Sequence, residues 1–174
     1  MSPGDFASKL TGGRSCSTGQ ALAVAAEVLE RPERFGQLFS GLEHEQPLVR
    51  MRMAYAVSKV ADARPDLLQP YKERFIDRLA DPANSHLCRA CLLRTLCKLE
   101  LMPEDIDLLK DMLLDFMHSR SSIVKTFSLQ ILVDFAEIHP ALRSRVAPLL
   151  WDALENGTPA MRARARKLMR KYKL

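Results

Sequence analysis

Residues 49–60 read Val-Arg-Met-Arg-Met-Ala-Tyr-Ala-Val-Ser-Lys-Val, and this stretch decides the fold. Counted from the anchor Val49, apolar side chains stand at offsets +4, +5, +7, +8 and +11, and a basic residue directly follows the anchor. Apolar residues at this spacing line one face of an α-helix. The stretch therefore predicts an amphipathic helix whose apolar face is buried.

The same pattern recurs three more times, at intervals of 36 to 39 residues. The later copies begin at Cys88-Arg89, Val124-Lys125 and Met161-Arg162. In the first and third copies a proline, Pro65 or Pro140, also lies 15 residues after the basic residue. Recurrence at such a period indicates a protein built from stacked repeats.

Prolines and turn residues divide the chain into helices joined by short turns, and no strand pattern appears. A first helix is predicted over 18–30 with Thr18 as its N-cap. The remaining helices are predicted over about 32–42, 47–63, 66–80, 86–101, 103–117, 122–138 (capped by Ser121 or Ser122), 142–155 and from Pro159 onwards. The expected fold is all-α.

Composition predicts one domain over residues 18–174, preceded by a flexible segment over residues 1–17. A hydrophobic content of 47% is enough for a continuous core, and no stretch approaches the roughly 20 apolar residues of a membrane span. The polar start of the chain does not resemble a secretory signal. Together with four cysteines outside any export context, this favours reduced thiols in a cytoplasmic protein.

Positive charge is concentrated at the end of the chain. Residues 162–174 hold seven Lys or Arg and no acid, whereas residues 1–161 hold 19 basic and 21 acidic residues. The net charge of +5 is therefore a property of the last helix.

The chain resembles the HEAT-repeat α-solenoids, in particular small stand-alone bacterial members of that group. The resemblance is carried by the Asp81-Pro82 turn, by the Val49-Arg50 start of a second helix and by the apolar face that follows it. It implies a right-handed α-α superhelix of about four helix pairs with an N-terminal cap helix. It also implies a binding surface or scaffold, with the second helix of each pair lining the concave face.

No catalytic, metal or cofactor site is predicted. Histidines one repeat apart are too distant to share a metal ion. Cys88 and Cys91 form a lone pair within a helix and have no second pair to complete four ligands. Trp151-Asp152 is reminiscent of HEAT-like DNA glycosylases, but it lies on a first helix, which in this family faces the convex side. The recurring Arg50 and Arg89 are interpreted as structural residues that bind turn acids or carbonyls.

The candidate contact surface comes from the outward offsets +3, +6 and +10 of each second helix. Seven of these twelve positions are basic and one is acidic. The residues predicted to contact a partner on the concave face are Arg52, Tyr55, Lys59, Arg94, Lys98, Phe127, Gln130, Arg164, Lys167 and Lys171. A solvated helix face that has no partner is the alternative reading of this pattern.

Two functions remain open. The first is a non-enzymatic module or scaffold that binds an acidic protein partner on the concave face, with Tyr55 and Phe127 as apolar anchors. The second is nucleic-acid binding through the same basic positions and the C-terminal helix. Contact of that helix with an anionic membrane is a weaker third, because its apolar residues occupy core positions. The sequence does not indicate the oligomeric state.

Overall fold

The computed structural model describes residues 4–14 and 17–172, and this part of the chain is helical without any strand. Its α-helices are α1 (Gly4–Lys9), α2 (Ala21–Glu30), α3 (Phe35–Ser40), α4 (Pro47–Ala63), α5 (Lys72–Ala80), α6 (His86–Leu96), α7 (Pro103–Phe116), α8 (Ser122–Ile138), α9 (Arg143–Glu155) and α10 (Pro159–Tyr172). The predicted all-α fold is confirmed. The repeats place α3, α5, α7 and α9 as first helices, and α4, α6, α8 and α10 as second helices.

The chain packs as two compact units, Met1–Glu100 and Leu101–Leu174. In the first unit α4 lies between α2 and α6, while α3 packs on α4 and α5 on α6. The apolar offsets of the first two copies form its core, and Val57, Leu93 and Leu96 have no exposed surface. The single domain predicted over residues 18–174 stays a prediction.

In the second unit α8 contacts α7, α9 and α10, and α9 packs on α10. Leu129 and Leu132 of the third copy are completely buried, as are Leu150 of α9 and Ala165 of α10. The fourth copy is the least buried: Arg166 is exposed and Met169 is only half-buried. At the core offset held by Arg166, α10 therefore carries a charged side chain in solvent.

Three helices of the second-helix type end in the same way. The residues after α2, α4 and α8 are Arg31, Arg64 and His139, with φ between −137° and −119° and ψ between 72° and 85°. Each precedes a proline, which disfavours the α region for the residue before it, and each proline opens a short 3-10 turn. The helix α2 thus takes the place of the predicted N-terminal cap helix, and it ends in the same way as the second helices α4 and α8.

Prolines also account for the later start of two predicted helices, whereas the helix predicted over 86–101 ends at Leu96. The helix predicted over 66–80 begins only at Lys72, because Pro65 and Pro70 each open a 3-10 turn before it. Similarly, α3 is short because 3-10 turns flank it at Pro32–Arg34 and Gly41–Glu43. Thr18 does not cap α2, which begins after Gln20 without a side-chain cap.

The described part of the predicted flexible segment is ordered by contacts with the first unit. Phe6 and Leu10 are completely buried. The guanidinium of Arg34 lies 4.2 Å from the centre of the Phe6 ring, and Lys9 Nζ lies 2.8 Å from a carboxylate oxygen of Glu27. This segment therefore differs from the expectation, because a buried aromatic ring and an ion pair hold it against α2 and the turn that follows.

Candidate partner-binding surface

The second helices place nine of the ten predicted contact residues at least partly in solvent. Lys98, Lys167 and Lys171 are exposed. The other six are half-buried, namely Tyr55, Lys59, Arg94, Phe127, Gln130 and Arg164. Seven of these nine side chains form two clusters, one in each unit.

Arg52 is the exception, and its predicted exposure is wrong. Its side chain is among the largest that are fully buried, with 1% of its surface exposed. Its guanidinium donates to four backbone carbonyls of the N-terminal segment: those of Leu10 (2.7 Å), Gly12 (2.6 Å), Arg14 (3.2 Å) and Ser17 (2.9 Å). Offset +3 predicts an outward position, but residues 10–14 and Ser17 cover it, so Arg52 is structural.

Glycines allow the segment to wrap this closely around Arg52. Gly12, Gly13 and Gly19 all have positive φ, between 55° and 76°. A Cβ atom on Gly19 would lie 3.1 Å from two atoms of the Arg52 guanidinium. Glycine is the residue that adopts both the left-handed backbone and this close approach without strain.

In the first unit, three predicted cations converge on one carboxylate, that of Asp62 at the end of α4. Its oxygens lie 2.7 Å from Arg94 Nη2, 3.4 Å from Lys98 Nζ and 3.5 Å from Lys59 Nζ. The Lys59 ammonium also lies 5.4 Å from the centre of the Tyr55 ring. We call Tyr55, Lys59, Asp62, Arg94 and Lys98 the Asp62 cluster; its formal charge is positive because three cations surround one acid.

The surrounding cations lower the pKa of the Asp62 carboxyl. Burial acts to raise the pKa of its carboxyl, but the positive charges of Arg94, Lys98 and Lys59 together hold that pKa below its usual value. The same cations affect Cys91, which is half-buried. Burial raises the pKa of the Cys91 thiol, and the charges of Arg94 and Lys59 oppose the rise.

In the second unit, an acid again organises the predicted contact residues. Asp134 Oδ2 accepts from Gln130 Nε2 at 2.9 Å, and Asp134 Oδ1 lies 3.6 Å from Lys171 Nζ and accepts from the Tyr172 hydroxyl. The Gln130 carbonyl oxygen in turn accepts from Arg164 Nη1 at 2.9 Å. We call Gln130, Asp134, Arg164, Lys171 and Tyr172 the Asp134 cluster.

The remaining two predicted residues stand apart from these clusters. No hydrogen bond or ion pair joins Lys167 or Phe127 to another side chain within 4–14 and 17–172. Sequence reasoning missed Asp62 and Tyr172 as members of the surface. The signal for Asp62 was its position three residues after Lys59, which brings the two side chains to one helix face.

The recurring arginines contact backbone carbonyls of the turns. Arg50 Nη1 donates to the carbonyls of His44 (2.8 Å) and Glu45 (3.0 Å), and its Nη2 reaches the carbonyl of Ala83 in the next turn at 2.7 Å. Arg89 Nη2 donates to the carbonyl of Asp81 at 2.9 Å. Their predicted structural role is confirmed, since each fixes a turn between helices.

The other residues considered for chemistry lie apart from the two clusters. Burial raises the pKa of the Cys88 thiol to about 12, and the thiol contacts Asn84 Oδ1 at 3.4 Å. Trp151 and Asp152 are both exposed on the first helix α9. Among the described residues, no three or more His, Cys, Asp or Glu side chains come together as a metal site, and no helix is both long and apolar enough to span a bilayer.

Comparison with known proteins agrees with this architecture. No curated protein and no solved structure matches the chain. The sequence profile of the HEAT repeat domain matches residues 7–172, which is nearly the whole chain. HEAT repeats are generally modules of protein interaction and scaffolding rather than enzymes. Stacked helix pairs, turn-binding arginines and this match together show that the chain belongs to the HEAT repeat family.

Proposed function

We propose that this protein is a non-enzymatic interaction module that binds an acidic protein segment through its second helices. The observation that carries the proposal is the Asp62 cluster, in which Lys59, Arg94 and Lys98 surround a single carboxylate beside the ring of Tyr55. Three cations against one acid leave a local excess of positive charge. HEAT repeats in general serve protein interactions.

Binding through such a surface requires only fixed charge and a rigid support. Lys59 and Arg94 stand on α4 and α6, whose opposite faces are buried, and Lys98 lies just after α6. The surface is therefore ordered before a partner arrives. Partly exposed charges contribute little to stability one by one. Their combined field, however, attracts an acidic partner and sets its orientation, while Tyr55 supplies an apolar contact.

Nucleic-acid binding remains the alternative, and α10 is the observation that favours it. Between Pro159 and Tyr172 this helix carries six basic residues and no acid. Arg166, Lys167 and Arg170 are exposed there. Arginine and lysine on one helix can neutralise consecutive phosphates and release their counterions.

A charge-reversal variant tests the proposed surface. Replacing Lys59, Arg94, Lys98 and Lys167 by Glu is expected to abolish capture of the cellular partner from cytosol treated with nuclease, with an unchanged circular dichroism spectrum. The matched control replaces four exposed arginines away from the second helices, Arg74, Arg120, Arg143 and Arg145, by Glu. If the first variant captures the partner as well as the wild type does, the proposed surface does not bind it. If the control loses capture equally, the loss is explained by the change in overall charge.

Salt separates the two candidate functions. A nucleic-acid ligand is expected to lose affinity linearly in log[salt], since binding releases counterions. A protein partner with an apolar centre is expected to retain measurable binding at high salt, because burial of apolar surface is not screened. Fluorescence anisotropy at several salt concentrations measures the affinity for either ligand. Tight binding of duplex or single-stranded DNA or RNA with a steep salt slope would favour the alternative; no binding even at low salt would remove it.

A further inference from the structure

A carboxylate lies within each basic cluster, where an acidic partner would have to dock. Asp62 is near the C-terminal end of α4, and Asp134 is on α8. Each is bound by residues that stand at the candidate contact positions. The two acids are therefore already bound to the cations, and Asp134 also to the Gln130 amide, that a partner would need to contact.

In the Asp62 cluster the competition is for cations that are only partly exposed. The side chains of Arg94 and Lys98 keep 42% and 40% of their surface in solvent, and Lys59 keeps 27%. An incoming carboxylate must therefore share these cations with Asp62 at short range. Asp62 is negatively charged at neutral pH, and its cations hold the pKa of the carboxyl below its usual value.

In the Asp134 cluster the acid also fixes the orientation of an amide. Asp134 Oδ2 accepts from the Gln130 amide nitrogen, which turns the Gln130 carbonyl oxygen towards Arg164. Arg164 is thereby bound by a neutral oxygen, while the acid binds Lys171 and Tyr172. A partner that approaches this cluster meets a fixed negative charge together with the cations.

A fixed acid among cations discriminates between kinds of anionic partner. At either cluster, an unbroken run of negative charge places further anions next to the aspartate, and like charges at short range cost affinity. In a segment that alternates acidic residues with hydrogen-bond donors, each acidic residue can pair with a cation of the cluster. Each donor can then bind the aspartate. Specificity of this kind comes from repelling the wrong ligand as well as from attracting the right one.

We propose that each acid determines the specificity of its own cluster, Asp62 that of the Asp62 cluster and Asp134 that of the Asp134 cluster. They favour a protein segment in which acidic residues alternate with lysine or other donors, and they reject uniform polyanions. This inference rests on the proposed function, because it names the partner chemistry of the same surface.

Neutral isosteres of the two acids test the inference. The variants are Asp62→Asn, Asp134→Asn and the double replacement. Their controls are Asp77→Asn on α5 and Asp111→Asn on α7, which are exposed on first helices and change the net charge equally. The probes are two fluorescein-labelled decapeptides, one of Glu alone and one of alternating Glu and Lys. Affinities are measured by fluorescence anisotropy at low salt.

Each replacement at Asp62 or Asp134 is expected to raise the affinity for polyglutamate by about three- to tenfold over its control, in the range of one close charge pair. Affinity for the alternating peptide is expected to fall by a similar factor. Equal effects at Asp62 and Asp77 would overturn the inference, because overall charge would then explain the gain. Failure of the double variant to bind polyglutamate would overturn it too, since the acids would not be what excludes the polyanion.

The two proposals fail in different ways. The four-Glu variant is the one in which Lys59, Arg94, Lys98 and Lys167 are replaced by Glu. If it still captures the cellular partner while Asp62→Asn gains polyglutamate binding, the proposed function is wrong and the electrostatic role of Asp62 stands. If the four-Glu variant loses the partner and the Asn variants behave like their controls, the surface stands and the role of the acids is wrong. Urea unfolding of each variant checks that the fold is retained.

Discussion

At the scale of single residues, the same residue type serves structure or recognition according to what covers it. Arg52 and Arg94 are both outward-facing in the repeat pattern of α4 and α6. Arg52 is buried under the N-terminal segment and donates to four carbonyls, whereas 42% of the Arg94 side chain is exposed. Their contributions to stability should therefore differ.

We expect Arg52→Ala to lower the free energy of unfolding by at least about 2 kcal/mol, because charged hydrogen bonds are lost and buried carbonyls are left unpaired. Arg94→Ala should cost less than about 1 kcal/mol, as is usual for a solvent-exposed ion pair. Urea titration of both variants measures the difference. Similar losses would mean that the N-terminal segment does not depend on Arg52.

Core packing gives a second prediction at this scale. Leu96 has no exposed surface and lies on the apolar face of α6. Leu96→Ala is expected to cost about 2–5 kcal/mol, because it leaves a cavity in a packed interface. The comparison is again with Arg94→Ala, two residues earlier on the same helix. Equal effects in a denaturant titration would show that the buried face has been assigned wrongly.

The buried thiol of Cys88 predicts a pH dependence of stability. Its pKa is raised by burial from the ordinary 9.0 to about 12, so the folded state binds the proton more tightly than the unfolded state. The resulting stabilisation is complete below pH 9.0 and is lost as the pH rises towards 12. We expect Cys88→Ala to lose less stability between pH 8 and 10.5 than the wild type. The exposed Cys97 is the control, and an identical effect of Cys97→Ala would contradict the assignment.

At the scale of elements, helix ends show how local chemistry cooperates with packing. The Ser85 hydroxyl accepts from the Cys88 backbone N–H at 3.2 Å and caps α6. Ser121 occupies the equivalent N-cap position of α8, but its side chain makes no cap hydrogen bond. The two serines look alike in the sequence and differ in the structure.

Ser85→Ala is therefore expected to lower the free energy of unfolding by about 1 kcal/mol, the usual value of an N-cap. Ser121→Ala should have an effect close to zero, since no cap hydrogen bond is removed. Both are measured by urea unfolding. A larger effect at Ser121 would mean that its hydroxyl caps α8 in solution.

At the scale of the whole molecule, the chain folds as two compact units, in each of which helices pack on neighbouring helices of that unit. In repeat proteins stability is approximately a sum of local repeat and interface terms. A destabilising substitution is therefore expected to affect mainly the helices near it. Leu132 is completely buried in the second unit, on the apolar face of α8.

We expect Leu132→Ala to accelerate amide hydrogen exchange mainly in α7, α8, α9 and α10, with a smaller change in α4 and α6, because local opening follows local packing. Hydrogen exchange followed by mass spectrometry measures the change helix by helix. The mirror variant Leu93→Ala should show the opposite distribution. A uniform acceleration in both variants would show that the whole chain unfolds as one cooperative body.

The sequence alone determined the helical repeat, because apolar side chains at helical spacing have to be buried and prolines end helices locally. It predicted the limits of α4, the start of α10, the core role of Val57 and Leu132 and the structural role of Arg50. It also identified the basic positions Lys59, Arg94 and Lys98.

Only the tertiary structure decided which of the outward positions are available and which charges they meet. Arg52 is covered by a segment more than 30 residues earlier in the chain, and Asp62 on α4 is bound by Arg94 and Lys98 on and just after α6. Helical periodicity describes one helix at a time. Burial by a distant segment and ion pairs between helices depend on how the helices stack, which no single pattern in the sequence contains.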